Sequence, residues 1–154
     1  MTEEKEWVDW QNTKVLQKAV VIDGGGNVLT LKRVETGPAS RLGKWDLPGG
    51  SLEPKDLVKG TKPNIEGLRR EVEQETGLRI ADIESIFVDS WVFSRSPGDI
   101  LGMAIGYRAR VSGIMPTVTL SGEHTESKWL TKEEALNMDF GDDGGLHKSI
   151  LQKV

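Results

Sequence analysis

One segment constrains the fold more than any other: "PNIEGLRREVEQETG", residues 63–77. Pro63 suits the first position of a helix, with Thr61 or Lys62 as the cap, and Gly77 is a C-terminal stop. Between them Ile65, Leu68 and Val72 recur at i, i+3 and i+7, an apolar stripe that has to be buried against something. Elsewhere the chain reads mainly as strands. "VLQKAVVID" from Val15 ends in the turn signal "DGGGN", and "VLTLKRV" follows, so the two read as a hairpin. After the polar loop "ETGPASRLGK", "WDLPGG" is a short strand running into a glycine turn. Beyond the helix come three strand-like runs, "IESIFVDSWVF", "ILGMAIGYRARV" and "ESKWL". Thr131 and Glu134 form a capping box for a short helix, "KEEALNM", and "LHKSILQKV" is a terminal helix. Strands and helices mix without strict βαβ alternation, which predicts an α+β sandwich.

The face of the long helix about 90° from that stripe is chemically unusual. At about 100° per residue, with Glu71 as zero, Gln74 lies near −60° and Glu75 near +40°, so the three share a face. Gly67 falls on that side too. A mid-helix glycine costs about 1 kcal/mol against alanine, so its presence predicts close packing there. Upstream, "LPGGSLE" places a glycine turn and Glu53 before this face. Hard divalent cations take carboxylate, carbonyl and water oxygens, and a glycine carbonyl beside a row of carboxylates offers that set.

"LPGGSLE" followed by "REVEQETGL" resembles the Nudix box, G-x5-E-x7-R-E-U-x-E-E-x-G-U with U apolar. Gly50 opens it, and Arg70, Glu71, Val72, Glu75, Gly77 and Leu78 fill their places. "GKWDLPGG" before it and "EHTESKWL" after it also look like Nudix surroundings, so the likeness runs from about Val15 to Leu136. It implies a Nudix-like α/β/α sandwich with a mixed β-sheet. The chain departs from the pattern twice. Gln74 stands where the first glutamate of the E-E pair belongs. Gly50 to Leu78 also spans 29 residues instead of 23, and the six extra lie in "PKDLVKGTKPN". Such a loop adds well under ~1 kcal/mol of closure entropy. Asp56 sits where the family has its isolated glutamate, which usually pairs with the motif arginine. The extension leaves the partner of Arg70 open.

The resemblance implies hydrolysis of a nucleoside diphosphate linked to a group X, with Mg²⁺ (or Mn²⁺) as cofactor. It makes Glu71 and Glu75 the main metal ligands, the Gly50 carbonyl an assisting one, and Glu53 a ligand or a ligand's neighbour. The amide oxygen of Gln74 can still bind a cation but brings no charge. The expected result is weaker occupancy of one position, tightened by Gln74→Glu. Family members often take a further ligand or general base from a loop beyond the box. Here Glu123 and His124 are the candidates, with Glu126 a further option; a loop cap or a pairing with Lys128 is the other reading. His147 is expected at the surface. Arg33 and Lys44 either meet phosphate or are solvated strand ends. Trp91 and Phe93 either stack on a base or belong to the core.

Composition narrows the partners. Net charge is −4 and pI about 5.3, which opposes a nucleic acid polymer but not a small anion held through a cation. There is no cysteine, hence no disulfide, thiolate site or zinc module of the kind seen in some NADH-cleaving relatives. No apolar run approaches the roughly 20 residues of a membrane span, and "MTEEKEWVDW" lacks an apolar signal core, so the expected location is cytoplasmic. Residues 1–154 are expected to form one domain, with 1–13 as an arm. Trp7 and Trp10 in that arm pack back on the sheet or against a partner subunit, which admits a homodimer. The leading substrate class is the (deoxy)nucleoside triphosphates. The rivals are ADP-ribose or a nucleotide sugar, and a catalytically silent nucleotide-binding module.

Overall fold

The computed structural model describes residues 6–37, 41–141 and 145–154. The start of the expected arm (residues 1–5) and part of the loop after the second strand (38–40) lie outside that set. Seven strands form one mixed sheet: β1 (Thr13–Ile22), β2 (Val28–Arg33), β3 (Trp45–Asp46), β4 (Gly49–Ser51), β5 (Ala81–Arg95), β6 (Gly98–Arg110) and β7 (His124–Leu130). The order is β3-β2-β1-β6-β5, with β4 also on β1 and β7 on β2. β1 and β6 run parallel over a ten-residue register from Thr13↔Leu101 to Ile22↔Arg110.

Both faces of the sheet are covered. Ala19, Val21, Leu29, Leu31, Tyr107 and Ala109 pack with Leu68 and Val72 of α1 (Pro63–Thr76). On the other side Val20, Val28 and Leu47 pack with Ala135 of α2 (Lys132–Leu136), Phe140, and Ile150 and Leu151 of α3 (Leu146–Leu151). This is why Gln17 to Val21 are buried without a break: a strand with two covered faces reads as a continuous run, not an alternation. The architecture is the expected α/β/α sandwich.

The hairpin expected from the first two strands is mostly replaced. β1 and β2 share one register pair, Ile22↔Val28. Beyond it β2 pairs with β7, and β4 takes the vacated edge of β1 at Leu16↔Ser51 through Lys18↔Gly49. The "LPGGSL" segment therefore runs as a strap along the middle of the sheet, clamped by Ala19 N–H to Pro48 O at 2.8 Å and Leu52 N–H to Val15 O at 2.8 Å. β5 is the sheet's edge, with Val88 and Val92 exposed on one face and Phe87, Asp89 and Trp91 on the other. Trp7 and Trp10 are exposed, the latter in a short 3-10 turn before β1. Among the described residues no helix is long and apolar enough to cross a membrane.

Candidate active site

α1 begins at Pro63 with Lys62 as its cap, and it ends at Gly77, whose φ is 73°. The stripe of Ile65, Leu68 and Val72 turns into the core, which fixes the helix rotation and aims Glu71 and Glu75 at the strap. Glu75 is 5% exposed, and Gly49 N–H donates to its Oε2 at 3.1 Å. A Cβ on Gly50 would stand 2.7 Å from Glu71 Oε2, so the glycine lets the backbone reach the carboxylate. Gly67 has the packing role its position predicts. A Cβ there would meet Leu52 Cδ1 at 2.9 Å and Asp56 Oδ2 at 3.2 Å.

The open question of Arg70 is answered by Asp56. The guanidinium binds it through two parallel bonds, Nε to Oδ1 at 3.0 Å and Nη2 to Oδ2 at 2.9 Å. This bond, helped by the backbone, holds the Asp56 carboxyl below its usual range. All six additional residues follow Asp56, so the loop bulges without disturbing the pair. Arg70 Nη1 lies 2.9 Å from Glu53 Oε2 and 3.0 Å from Glu71 Oε1. It also donates to Gln74 Oε1 at 3.3 Å. Gln74 borders a shallow depression with Glu66, Arg69 and Glu73, so the structure separates it from the cleft where Glu71 and Glu75 lie.

That cleft, about 440 Å³, is walled by Glu53, Glu71, Glu75 and Glu123 and by Lys18, Arg33 and Arg41. Burial pushes the Glu75 carboxyl up to about 8, even with Lys18 and the Gly49 N–H opposing. Burial also raises Glu71, against the pull of Arg70. Glu75, Glu123 and His124 present ligand atoms within 4.8 Å of one another. His124 is buried, and among the described residues neither ring nitrogen has a hydrogen-bond partner. Two carboxylates whose ionisation the fold disfavours, beside an imidazole with unsatisfied nitrogens, suit a divalent cation.

A second cavity, about 350 Å³, adjoins the cleft, sharing Leu16 and Arg41 with it. Its walls are Phe87 and Trp91 of β5 and Leu146, His147 and Ser149 of α3. Trp91 lies across Gly102, where a Cβ would come within 2.5 Å of the indole. Phe93 is half-buried and outside this wall, and Glu126 is exposed and lies 3.8 Å from Lys128. Lys44 turns away to Asp139, 2.7 Å distant.

His147 is not the surface residue expected: it is 2% exposed, and its Nε2 donates to Asp46 Oδ1 at 2.7 Å. The carboxylate only accepts, so Nε2 carries the proton. The apolar phase of the terminal helix explains the correction, since His147, Ile150 and Leu151 stand at i, i+3 and i+4. Lys18, Arg41, Asp46 and Phe87 are further site residues that the sequence reading passed over. Signals existed for two: Lys18 interrupts an apolar strand, and Asp46 sits between Trp45 and Leu47.

A NUDIX domain family model matches residues 15–151 of the chain. None of the curated proteins matches it in sequence. Among solved structures it is similar to a MutT protein from Methanosarcina mazei Go1, with 26% identity, 91% of each chain covered and a TM-score of 0.60. A Bacillus halodurans MutT protein shares 25% identity over 90% of this chain and 82% of its own, with a TM-score of 0.63. The NUDIX domain of Shewanella oneidensis NrtR, solved with ADP ribose, has a TM-score of 0.66 over 90% and 84% of the chains; its 19% identity speaks to the fold alone.

Proposed function

The chain belongs to the Nudix family of pyrophosphohydrolases, and from that premise we propose that it cleaves (deoxy)nucleoside triphosphates with Mg²⁺ (or Mn²⁺) in the cleft beside Glu71 and Glu75. The observation that carries this reading is the adjacency of the two cavities. An aromatic pocket of nucleoside size shares Leu16 and Arg41 with a cleft lined by cations and carboxylates. One end suits a base between apolar surfaces, with Trp91 and Phe87 as walls; the other suits a phosphate chain.

Glu71, Glu75 and the Gly50 carbonyl would hold the cation, with His124 closing the set and Glu53 fixed by Arg70. A cation there supplies charge neutralisation and a more acidic water. Lys18, Arg33 and Arg41 bind and orient the phosphates. Glu123, exposed at the rim, takes the proton of the attacking water, while burial of Glu75 keeps bulk water from competing for the cation. Two acidic ligands on α1 favour turnover over a silent binding module. A location in the cytoplasm is part of the same proposal.

One further observation favours a second reading, ADP-ribose or a nucleotide sugar. Glu53 is shared with a third groove lined by Trp10, Val15, Leu52 and Leu57, which gives a group X somewhere to lie. A phosphate-release screen with Mg²⁺ tests both, with pyrophosphatase or alkaline phosphatase reporting the product type. The panel holds the nucleoside triphosphates, 8-oxo-dGTP, ADP-ribose, NADH and GDP-mannose. Pyrophosphate release from a triphosphate, with KM raised about tenfold or more in Trp91→Ala, is the expected result. Turnover confined to ADP-ribose or a sugar nucleotide moves the assignment to the second reading, and silence across the panel with Mg²⁺ and Mn²⁺ removes both.

A further inference from the structure

Asp46 lines neither the cleft nor the pocket, yet it holds groups from both. Its side chain is 1% exposed. Oδ1 accepts from its neighbour's backbone, Leu47 N–H, at 2.9 Å and from His147 at 2.7 Å, and lies 3.0 Å from Lys18 Nζ. Oδ2 accepts from Lys18 at 3.1 Å and Arg33 Nη1 at 3.0 Å. Arg41 Nη2 stands 3.6 Å from Oδ1, and His124 Nε2 3.9 Å from Oδ2. Burial alone would raise this carboxyl; Lys18, His124 and His147 reverse that and hold it well below the usual carboxylate range.

The contacts close into a ring. The His147 ring stacks on Phe140 with centroids 5.0 Å apart and planes 3° from parallel. The Phe140 carbonyl accepts from Arg41 Nη1 at 3.0 Å, and Arg41 returns to Asp46. A carboxylate on β3, an imidazole on α3, the backbone before α3 and an arginine from the loop after β2 are thus tied together. Arg41 and His147 face the aromatic pocket; Arg41, Arg33 and Lys18 face the cleft.

We propose that Asp46 is a positioning residue that couples the two cavities: one buried carboxylate sets the cations of the phosphate cleft and, through His147, the α3 wall of the nucleoside pocket. The inference rests on the reading that these cavities take the two ends of one nucleotide. Lys18, Arg33 and Arg41 all reach this one carboxylate, so it fixes where their charges stand at the wall of the cleft. A nucleoside seated against His147 stabilises the same arrangement, so filling either cavity tightens the other. The coupling is necessarily reciprocal.

Calorimetric titration of the full chain with inorganic pyrophosphate and Mg²⁺, and with adenosine and guanosine as nucleoside probes, tests this. In the unaltered protein, saturation with pyrophosphate is expected to tighten nucleoside binding about fivefold or more, and the converse by the same factor. Asp46→Asn and His147→Gln should each bring the factor close to one, whatever either change does to the affinity for each probe alone. His147→Gln leaves the Lys18–Asp46 pair in place, so a carboxylate that merely neutralises Lys18 would leave the coupling intact in that variant. It also carries the test if Asp46→Asn does not fold. Independent binding in the unaltered protein, or coupling preserved in His147→Gln, overturns the inference. If a triphosphate is turned over in the screen yet the probes bind independently, the coupling fails and the substrate reading stands. If neither probe binds and no nucleotide is cleaved, both fall together.

Discussion

Glu75 is a carboxylate placed where ionisation is costly, with Gly49 N–H as its hydrogen-bond donor among the described residues. Nothing in that position is optimal for a metal-free protein, whereas a cation beside it converts the burial into binding strength. Glu75→Gln keeps the shape and removes the charge. If Glu75 is the principal ligand, several kcal/mol of charge stabilisation are lost. At about 1.4 kcal/mol per decade that means kcat lower by about 10²–10³-fold. Initial rates of pyrophosphate release decide it, and a variant within tenfold of the parent would take Glu75 out of the chemistry. Gln74 stands differently from what its place in the motif implies. The amide points to Arg70, whose Nη1 already faces Glu53 and Glu71. Restoring the carboxylate by Gln74→Glu should therefore shift the apparent Mg²⁺ constant by less than about threefold, because an exposed charge outside the cleft is screened. A tenfold tightening would show that the side chain swings into the cleft.

At the scale of elements, α1 was legible almost residue by residue, because its signals are local. Pro63, Gly77 and the 3.6-residue stripe need no partner to be recognised. The strap was not legible: whether β2 or β4 lies beside β1 depends on β7, nearly a hundred residues away in the chain, competing for β2. The polar ring around Asp46 was hidden for a similar reason, since its members come from four separate segments. Gly67 joins the two kinds of information. In an ordinary exposed helix, alanine for glycine stabilises by about 1 kcal/mol. Here the new methyl would press on Asp56 Oδ2, which cannot retreat because Arg70 and the Glu53 N–H hold that carboxylate. Gly67→Ala should lower stability by about 1–2 kcal/mol in urea unfolding. A gain would mean that the Leu52 and Asp56 wall relaxes freely.

For the whole molecule, stability and metal binding are linked through pH. Glu75 is pushed by burial from the ordinary carboxyl value of 4.5 up to about 8 in the folded protein, so the fold favours its protonated form. Its contribution is fully present below the unfolded value and is lost as pH rises through about 8. Asp46, Asp56 and Asp23 act in the opposite sense. Their folded values are depressed, so their contributions are present above the ordinary aspartate value of 3.8 and vanish on acidification. The metal-free protein should therefore be most stable in mildly acid solution and lose ground towards alkaline pH. A cation that binds the ionised carboxylate reverses the alkaline part, adding about 2.7 kcal/mol at a hundred times its dissociation constant. Scanning calorimetry in chelator should show Tm falling by at least about 4 °C between about pH 6 and pH 9. Saturating Mg²⁺ should restore most of that loss, more at the alkaline end than at the acid end. Glu75→Gln should flatten the curve in chelator and remove the Mg²⁺ effect, because a neutral amide neither titrates nor neutralises a cation. A parent protein whose Tm in chelator holds level across that range would mean that Glu75 ionises without cost, and the argument that its burial prepares a cation site would fail with it.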